Sequence, residues 1–324
     1  MIAVMACHVA GAQDDWGRER KIALEKITEE SIYREISFLS DSLCQGRATG
    51  SRGNVECAFW ISRKFEEAGL IPFGESYSSQ FTTPNGIVAH NVVGMLPGAY
   101  TVPREEYIIV GAHFDHLGIL AGKLYPGADS NASGTVAMTS IADILSSMRR
   151  MGRVYESNII FVAFDAKEMN MAGSQALWKL IDYGMLKDPL TGKTITKQSI
   201  RLMVNIDQIG SSLSPIRSGR KDYMLMLGND SLDKSQKDNI EISNLMHGIG
   251  LDLCMSYYGS KAFTETFYRL SDQRIFVDNK IPAVFFTSGI TMNTNKTRDL
   301  VTSLDIPVVR KRILLIYHWL ETML

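Results

Sequence analysis

The sequence has no excess of charge of either sign. Its 324 residues include 34 Lys and Arg and 35 Asp and Glu, which gives a formal net charge of -1. Proteins that bind nucleic acid or anionic membranes carry a basic excess or patch, so this balance argues against both classes. The hydrophobic share of 45 % and the charged share of 21 % are those of a soluble globular chain. We therefore expect a folded protein without a nucleic-acid partner.

Cysteine is also scarce. The four cysteines are Cys7, Cys44, Cys57 and Cys254, and no two of them form a CxxC pair. This number and spacing exclude a disulfide-rich scaffold and a structural zinc site built from cysteine pairs. A single bridge between Cys44 and Cys57 is compatible with the sequence, and ordinary thiols are the alternative.

Long hydrophobic runs are missing as well, since no segment approaches the roughly 18 to 20 apolar residues that a membrane span needs. Residues 1–12 resemble the end of an export signal, because a short apolar stretch leads to Ala10-Gly11-Ala12, an arrangement typical of signal-peptidase sites. Alternatively, Cys7 is a lipid-attachment cysteine. We expect an exported protein, periplasmic, secreted or lipid-anchored, in which residues 13–324 form a single domain.

What the sequence does contain is an alternation of apolar strands with amphipathic helices. Continuous apolar runs, typical of strands covered on both faces, predict strands at 91–96, from Tyr107 onward, and at 158–164, 201–207, 222–227 and 281–287. Helical periodicity predicts helices after Thr28, up to Gly69, and at 133–150, 173–183, 241–249 and 307–323. The alternation predicts an α/β fold, a single three-layer α/β/α domain with a mixed, mostly parallel sheet.

Polar side chains follow several of these strands. They are His113, Asp115, Asp129, Lys167, Glu168 and Asp207, with Asp272 and Asn295 in the loops beside the last strand. In such a sheet, ligands gather at the carboxyl ends of the strands. A histidine, several carboxylates and an amide at one edge are the donor set of a metal site.

At these residues the sequence resembles the family-28 metallopeptidases, the co-catalytic zinc aminopeptidases of the bacterial leucyl aminopeptidase and glutaminyl cyclase type. The segments that carry the resemblance are GAHFDHLG, GADSNASGTVAM, FVAFDAKEMNMAGS, VNIDQIG and IPAVFFTSGITMNTNKTRD. The resemblance implies a zinc-exopeptidase-like fold and the hydrolysis of amino-terminal residues. In this family two zinc ions bind a hydroxide, polarise the scissile carbonyl and hold the substrate's α-amine.

Four residues match the family's site. The resemblance implies that His113 occupies a histidine ligand position, Glu168 the ligand glutamate and Asp207 an aspartate ligand of the second ion. It also implies that Asp115 orients His113. His116, three residues further on, is expected to be a loop residue and not a ligand.

Three residues depart from the pattern. Ser130 stands where the family has the bridging aspartate, Lys167 at the general-base glutamate, and Asn295 at the last histidine ligand. A serine hydroxyl is a poor bridge between two dications, and an amide oxygen is a weak zinc ligand. A charged ammonium cannot accept a proton from water.

These departures predict that zinc is absent or weakly bound and that hydrolysis is lost or weakened. We expect the Lys167 ammonium to fill the vacated space and pair with Glu168 and Asp207. The chain would then act as a peptide-binding pseudoenzyme whose ligand is a peptide or an amino-terminal small molecule. The alternative is an active metal-dependent aminopeptidase with a rearranged site, in which Asp129 substitutes for Ser130 and a neutral Lys167 is the base. A cyclising activity is a third, minor possibility, because the cyclases share the fold.

Overall fold

The molecule is built on a nine-stranded mixed sheet flanked by helices. The structure is a computed structural model that describes residues 17–99 and 105–324. The expected export segment, residues 1–12 with Cys7, lies outside the described residues. Among those that are described, no helix has the length and apolar character needed to span a membrane.

Helices and strands alternate along most of the chain, as the sequence predicts. The helices are α1 (17–25), α2 (Glu29–Leu39), α3 (Arg52–Ala68), α4 (Gly134–Arg150), α5 (Ala172–Asp182), α6 (Lys234–Met246), α7 (Lys261–Tyr268), α8 (Arg274–Asp278) and α9 (Ile306–Glu321). The strands are β1 (Ile71–Pro72), β2 (Ser78–Thr82), β3 (Val88–Leu96), β4 (Tyr107–His113), β5 (Gly118–Leu120), β6 (Lys123–Tyr125), β7 (Asn158–Phe164), β8 (Ile200–Ile206), β9 (Tyr223–Leu227), β10 (Asp252–Cys254) and β11 (Ala283–Thr287).

The strand order is β1-β3-β7-β4-β8-β11-β9-β10, with β2 also paired to β3. The four central strands β7, β4, β8 and β11 run parallel to one another. Antiparallel pairs lie toward the two sides, where β3 meets β7 and β11 meets β9. The predicted mixed sheet is confirmed. Its parallel strands are the central ones, and the polar residues follow the ends of these strands.

Helices cover both faces of this sheet. Along β4, Ile108 and Val110 belong to the core that includes α3, α4 and α9, whereas Ile109 belongs to the core that includes α5 and α8. Since successive side chains of a strand point to opposite faces, this division is the α/β/α layering predicted from the continuous apolar runs.

Local signals set the ends of several helices. The Thr28 hydroxyl accepts a hydrogen bond from the Ser31 N–H, and the Ser31 hydroxyl accepts one from the Thr28 N–H, a capping box that begins α2. Gly69 ends α3 with a φ of 75°, a conformation that favours glycine. The bounds predicted for α6 were wrong. The helix begins at Lys234, where Asp233 and Gln236 form a capping box. Its first turns contain few apolar residues, so the hydrophobic pattern did not reveal them.

The possible bridge between Cys44 and Cys57 does not form. Both are buried free thiols, which is the alternative left open by the sequence.

The short strand pair β5 with β6 was not predicted. Strands of three residues are too short to show a periodic pattern in the sequence.

Candidate functional site

The candidate site lies where three adjacent parallel strands end. His113 is the last residue of β4, Asp207 follows β8 directly, and a 3₁₀ turn at Lys167–Met169 follows β7. Because β7, β4 and β8 are neighbours in the sheet, their carboxyl ends meet at one edge. Four of the predicted site residues are therefore brought together: His113, Lys167, Glu168 and Asp207.

Asp115 holds the turn that carries Lys167 and Glu168. Its Oδ1 accepts a hydrogen bond from the Lys167 main-chain N–H at 2.9 Å, and its Oδ2 accepts one from the Glu168 N–H at 3.0 Å. The His113 Nδ1 lies 3.0 Å from the Asp115 carbonyl oxygen. The fully buried Asp115 thus fixes the relative positions of β4 and the turn after β7, a wider role than orienting one histidine.

His113 and Asp207 form a buried ion pair. The His113 Nε2 lies 3.2 Å from Asp207 Oδ1, and the Ser271 hydroxyl donates to Asp207 Oδ2 at 2.6 Å. Burial disfavours the imidazolium, but the Asp207 carboxylate outweighs that effect and raises the pKa of His113 to about 10. Burial opposes ionisation of Asp207 too, but His113 and Lys167 lower its pKa far below the ordinary range. Both partners are charged at neutral pH.

The Lys167 ammonium lies between two carboxylates that were expected to be metal ligands, Glu168 and Asp207. Its Nζ is 3.2 Å from Glu168 Oε1 and 4.0 Å from Asp207 Oδ2, the pairing expected from the sequence. Burial favours the neutral amine, but Asp207 and Glu168 prevail and raise the pKa of Lys167 above its ordinary value. Lys167 is therefore a cation at neutral pH and has no lone pair with which to accept a proton.

The loop before α4 is held by a residue that the sequence did not single out. Asp299 accepts hydrogen bonds from the main-chain N–H groups of Asp129, at 2.8 Å, and Ser130, at 3.1 Å. The Asp129 Oδ1 accepts from the Gly210 N–H at 2.6 Å. Burial, reinforced by the nearby Asp299, raises the pKa of Asp129 to about 7. The loop places Ser130, not the neighbouring carboxylate, toward the cavity described below.

Asn131 fastens this loop to the strand ends. Its Nδ2 donates to the carbonyls of His113, at 3.2 Å, and Ile206, at 2.9 Å, and its Oδ1 accepts from the Gly134 N–H at 3.0 Å. A Cβ at Gly134 would lie 2.3 Å from Asn131 Oδ1 and 2.6 Å from the Ile206 carbonyl oxygen. Glycine is required here because the helix start packs directly on the strand end.

A cavity of about 160 Å³ opens over these residues. Its polar lining includes Ser130, Lys167, Asp207 and Asn295, and its apolar wall consists of Phe267, Leu270, Phe285 and Ile290. Asn295 is exposed at the rim, with a φ of 58°. The structure thus brings the three residues predicted to depart from the family pattern, Ser130, Lys167 and Asn295, to one cavity.

The donor set does not fit a pair of zinc ions. In residues 17–99 and 105–324, no group of three or more His, Cys, Asp or Glu side chains is arranged to hold a metal ion. The carboxylates of Glu168 and Asp207 lie beside an ammonium, and the Asp207 Oδ1 also faces the His113 ring. A catalytic zinc usually needs three protein ligands, whereas here an ammonium of the chain lies beside two of the carboxylates that were expected to be ligands.

Some residues of the site carried no recognisable signal in the sequence. Ser271 and Asp299 act through hydrogen bonds to groups that are distant in the chain. Arg47 is buried in a polar, glycine-rich loop, a sequence context that gives no sign of burial. His116 is also buried and lies beside Gly127, and across the described residues neither of its ring nitrogens has a hydrogen-bond partner.

Comparison with known proteins identifies the family. Residues 91–311 match the model of peptidase family M28, which spans more than half of the chain. The mixed sheet between two layers of helices is the fold of M28 aminopeptidase structures, and the chain belongs to peptidase family M28. A comparison with curated protein sequences finds no significant match.

Solved structures of M28 peptidases and of a cyclase share this fold. The LapA aminopeptidase of Legionella pneumophila is 19 % identical over 94 % of this chain and 74 % of its own, with a TM-score of 0.68. BSAP, a zinc aminopeptidase from Bacillus subtilis, is 13 % identical over 91 % and 95 %, with a TM-score of 0.66. The glutaminyl cyclase of Porphyromonas gingivalis is 14 % identical over 92 % and 99 %, with a TM-score of 0.66. These likenesses establish the fold predicted from the sequence.

Proposed function

We propose that this M28 protein binds peptides or amino-acid derivatives in the old catalytic cleft without hydrolysing them. The observation that carries the proposal is the position of Lys167: its Nζ lies 3.2 Å from Glu168 and 4.0 Å from Asp207. The Lys167 ammonium would repel a zinc ion held by these carboxylates. With about 5 Å between Nζ and Zn²⁺ and an effective dielectric near 20, the repulsion is roughly 6 to 7 kcal/mol.

Two carboxylates of the cluster also have cationic partners without metal. His113 and Lys167 are cationic, and Glu168 and Asp207 are the paired anions. In the family's peptidases two zinc ions would neutralise such carboxylates and activate water. Here the protein's own cations neutralise them, and Lys167 cannot take the proton from a water molecule. We propose on this basis that His113, Glu168 and Asp207 are retained for structure.

The competing function is a metal-dependent aminopeptidase with a rearranged site. One observation favours it: Asp129 is buried next to Ser130, and within the described part of the chain its Oδ2 has no hydrogen-bond partner. For Asp129 to bridge two ions, its Oδ1 would have to leave the Gly210 N–H, and Lys167 would have to lose its proton against two neighbouring carboxylates. We therefore prefer the binding function.

We also propose that the protein is exported and that residues 13–324 form one unit.

Two measurements on the purified protein test the function. The first is elemental analysis after dialysis against a mild chelator. The second is an assay for the release of amino-terminal residues, with and without added zinc. We expect well under one zinc per chain and no release in either condition. Near-stoichiometric zinc together with metal-dependent release would establish the competing function and point to Asp129 as the bridge.

A further inference from the structure

The cavity beside Lys167 differs from a site made for an amino terminus in the sign of its free charge. Of the described residues that line it, Lys167 alone is basic and Asp207 alone is acidic. Both Asp207 oxygens are already engaged, Oδ1 with His113 at 3.2 Å and Oδ2 with Ser271 at 2.6 Å. Asp207 thus already has two partners, with which a ligand's ammonium would have to compete next to the like charge of Lys167.

Hydrogen-bond donors, in contrast, remain available. An ammonium has several N–H donors, and that of Lys167 spends one on Glu168, whereas its 4.0 Å separation from Asp207 is too long for a hydrogen bond. Over the described chain, no hydrogen bond engages the Ser130 hydroxyl or the Asn295 side-chain amide, both of which line the cavity. Together these groups offer a cation and two neutral donors.

The opposite wall is apolar. Phe267, Leu270, Phe285 and Ile290 line it, and the volume of about 160 Å³ has room for a head group and a medium-sized side chain. A polar cluster on one side and an apolar wall on the other is the usual composition of a small-molecule site.

We propose that this cavity binds a carboxylate ligand that has an apolar side chain next to the carboxylate and no free amine, as in an N-acylated amino acid or the carboxyl end of a peptide. This inference rests on the proposed function and names its ligand class. Lys167 receives the carboxylate, Ser130 and Asn295 donate to it, and the Phe267 side of the cavity holds the side chain. A free α-amine meets Lys167 and is disfavoured by like charge.

Three leucine derivatives separate the contributions of the carboxylate and the amine. N-acetyl-leucine carries only the carboxylate, leucinamide only the amine, and N-acetyl-leucinamide neither. Isothermal titration of the unmodified protein at pH 7 is expected to show N-acetyl-leucine binding about ten-fold tighter, or more, than N-acetyl-leucinamide, because a hydrogen bond to a charged group replaces a neutral contact. Leucinamide is expected to bind no tighter than N-acetyl-leucinamide.

Variants assign the effect to the cavity. Lys167→Met is expected to lower the affinity for N-acetyl-leucine about ten-fold while leaving that for N-acetyl-leucinamide unchanged. Asn295→Asp, at an exposed position, adds a negative charge at the rim and is expected to weaken N-acetyl-leucine binding several-fold even if the Lys167 variant does not fold. Lys261→Met, at a side chain that is 89 % exposed and outside the lining, is the matched control and is expected to change nothing.

Three results would overturn the inference: leucinamide binding as tightly as N-acetyl-leucine, no binding of any of the three probes, or Asn295→Asp leaving the affinity for N-acetyl-leucine unaltered. Tight binding of leucinamide without cleavage would refute the ligand class and leave the proposed binding function standing. Cleavage of a leucine amide or peptide bond by the purified protein would refute both.

Discussion

The Lys167 ammonium and the Glu168 carboxylate, side chains of consecutive residues, lie 3.2 Å apart at the end of β7. Neighbouring side chains in an extended strand point in opposite directions, so the contact depends on the 3₁₀ turn that begins at Lys167. Asp115 binds the main-chain N–H groups of both residues and thereby holds that turn. The pair is the centre of the proposed function.

Restoring the family's residues is expected to restore metal binding. The variant Ser130→Asp, Lys167→Glu, Asn295→His rebuilds a bridging carboxylate, a proton acceptor and a histidine ligand, so we expect zinc content to rise to about two ions per chain. Aminopeptidase activity is expected to appear if the cavity still admits an amino terminus. Elemental analysis and an amino-terminal release assay measure the two outcomes.

The matched control for this rescue is Ser130→Asp, Asn295→His, which retains Lys167. We expect it to bind less zinc than the triple variant and to remain inactive, because the ammonium still repels the ions and no base is present. Equal zinc contents in the double and triple variants would show that Lys167 does not control metal binding.

Lys167→Glu alone is expected to destabilise the fold by about 3 kcal/mol, because it removes the partner of two carboxylates and adds a third negative charge beside them. Lys167→Met, which removes the cation without adding an anion, is expected to cost less, about 1 to 2 kcal/mol. Urea unfolding at pH 7 measures both. The surface change Lys261→Glu serves as control and is expected to stay within about 0.5 kcal/mol of the parent. Similar values for all three variants would argue against a buried charge cluster.

The ion pair of His113 with Asp207 predicts a loss of stability in alkali. The folded-state pKa of His113, about 10, lies above the ordinary value of 6.5, so its stabilising contribution is fully present below pH 6.5 and is lost as the pH rises toward 10. His113→Gln is expected to be about 3 kcal/mol less stable than the parent at pH 6. That difference is expected to shrink by pH 10. A difference that stays constant between pH 6 and pH 10 would show that His113 is not the titrating group.

A second histidine predicts the opposite behaviour in acid. The ring of His318 on α9 stacks on that of His247 at 3.5 Å, and burial, with His247 and Arg20 nearby, lowers the pKa of His318 to about 3. The unfolded chain therefore binds a proton that the folded protein does not, and stability falls as the pH drops from about 6.5 toward 3. His318→Phe, which keeps a ring in the stack, is expected to reduce this acid loss and to leave stability above pH 7 nearly unchanged. Urea midpoints from pH 4 to pH 8 test it, and an unaltered acid slope would refute the assignment.

Arg47 is expected to be the most sensitive residue in the loop between α2 and α3. Its buried guanidinium donates to the carbonyl oxygens of Leu39, Phe114, Pro126 and Gly127. Arg47→Lys is expected to lower the free energy of unfolding by about 3 kcal/mol, because one ammonium cannot reach all of these carbonyls and leaves some of them buried without a donor. The control Arg52→Lys, on the exposed start of α3, is expected to change it by less than about 0.5 kcal/mol. Equal effects would contradict the role given to the buried guanidinium.

The sequence by itself determined the family and the α/β layering, and it predicted which residues would form the site. Strands such as β4 and β7 are continuous apolar runs, and the ends of α2 and α3 are marked by Thr28 and Gly69, so local residues contain the information. The motifs also identify Ser130, Lys167 and Asn295 as predicted departures from the family pattern, because the residue at each motif position can be read from the sequence alone.

Only the tertiary structure decided which partners these residues have. Asp299 is 170 residues from Asp129 in the chain, and Ser271 is 64 residues from Asp207, so neither hydrogen bond leaves a periodic or local trace. The charge of Lys167 was decided in the same way, because burial and two carboxylates oppose each other and only the distances show which prevails. The sequence specifies the chemical type of each side chain, whereas its pKa and its hydrogen-bond partners depend on which groups the fold places within a few ångströms.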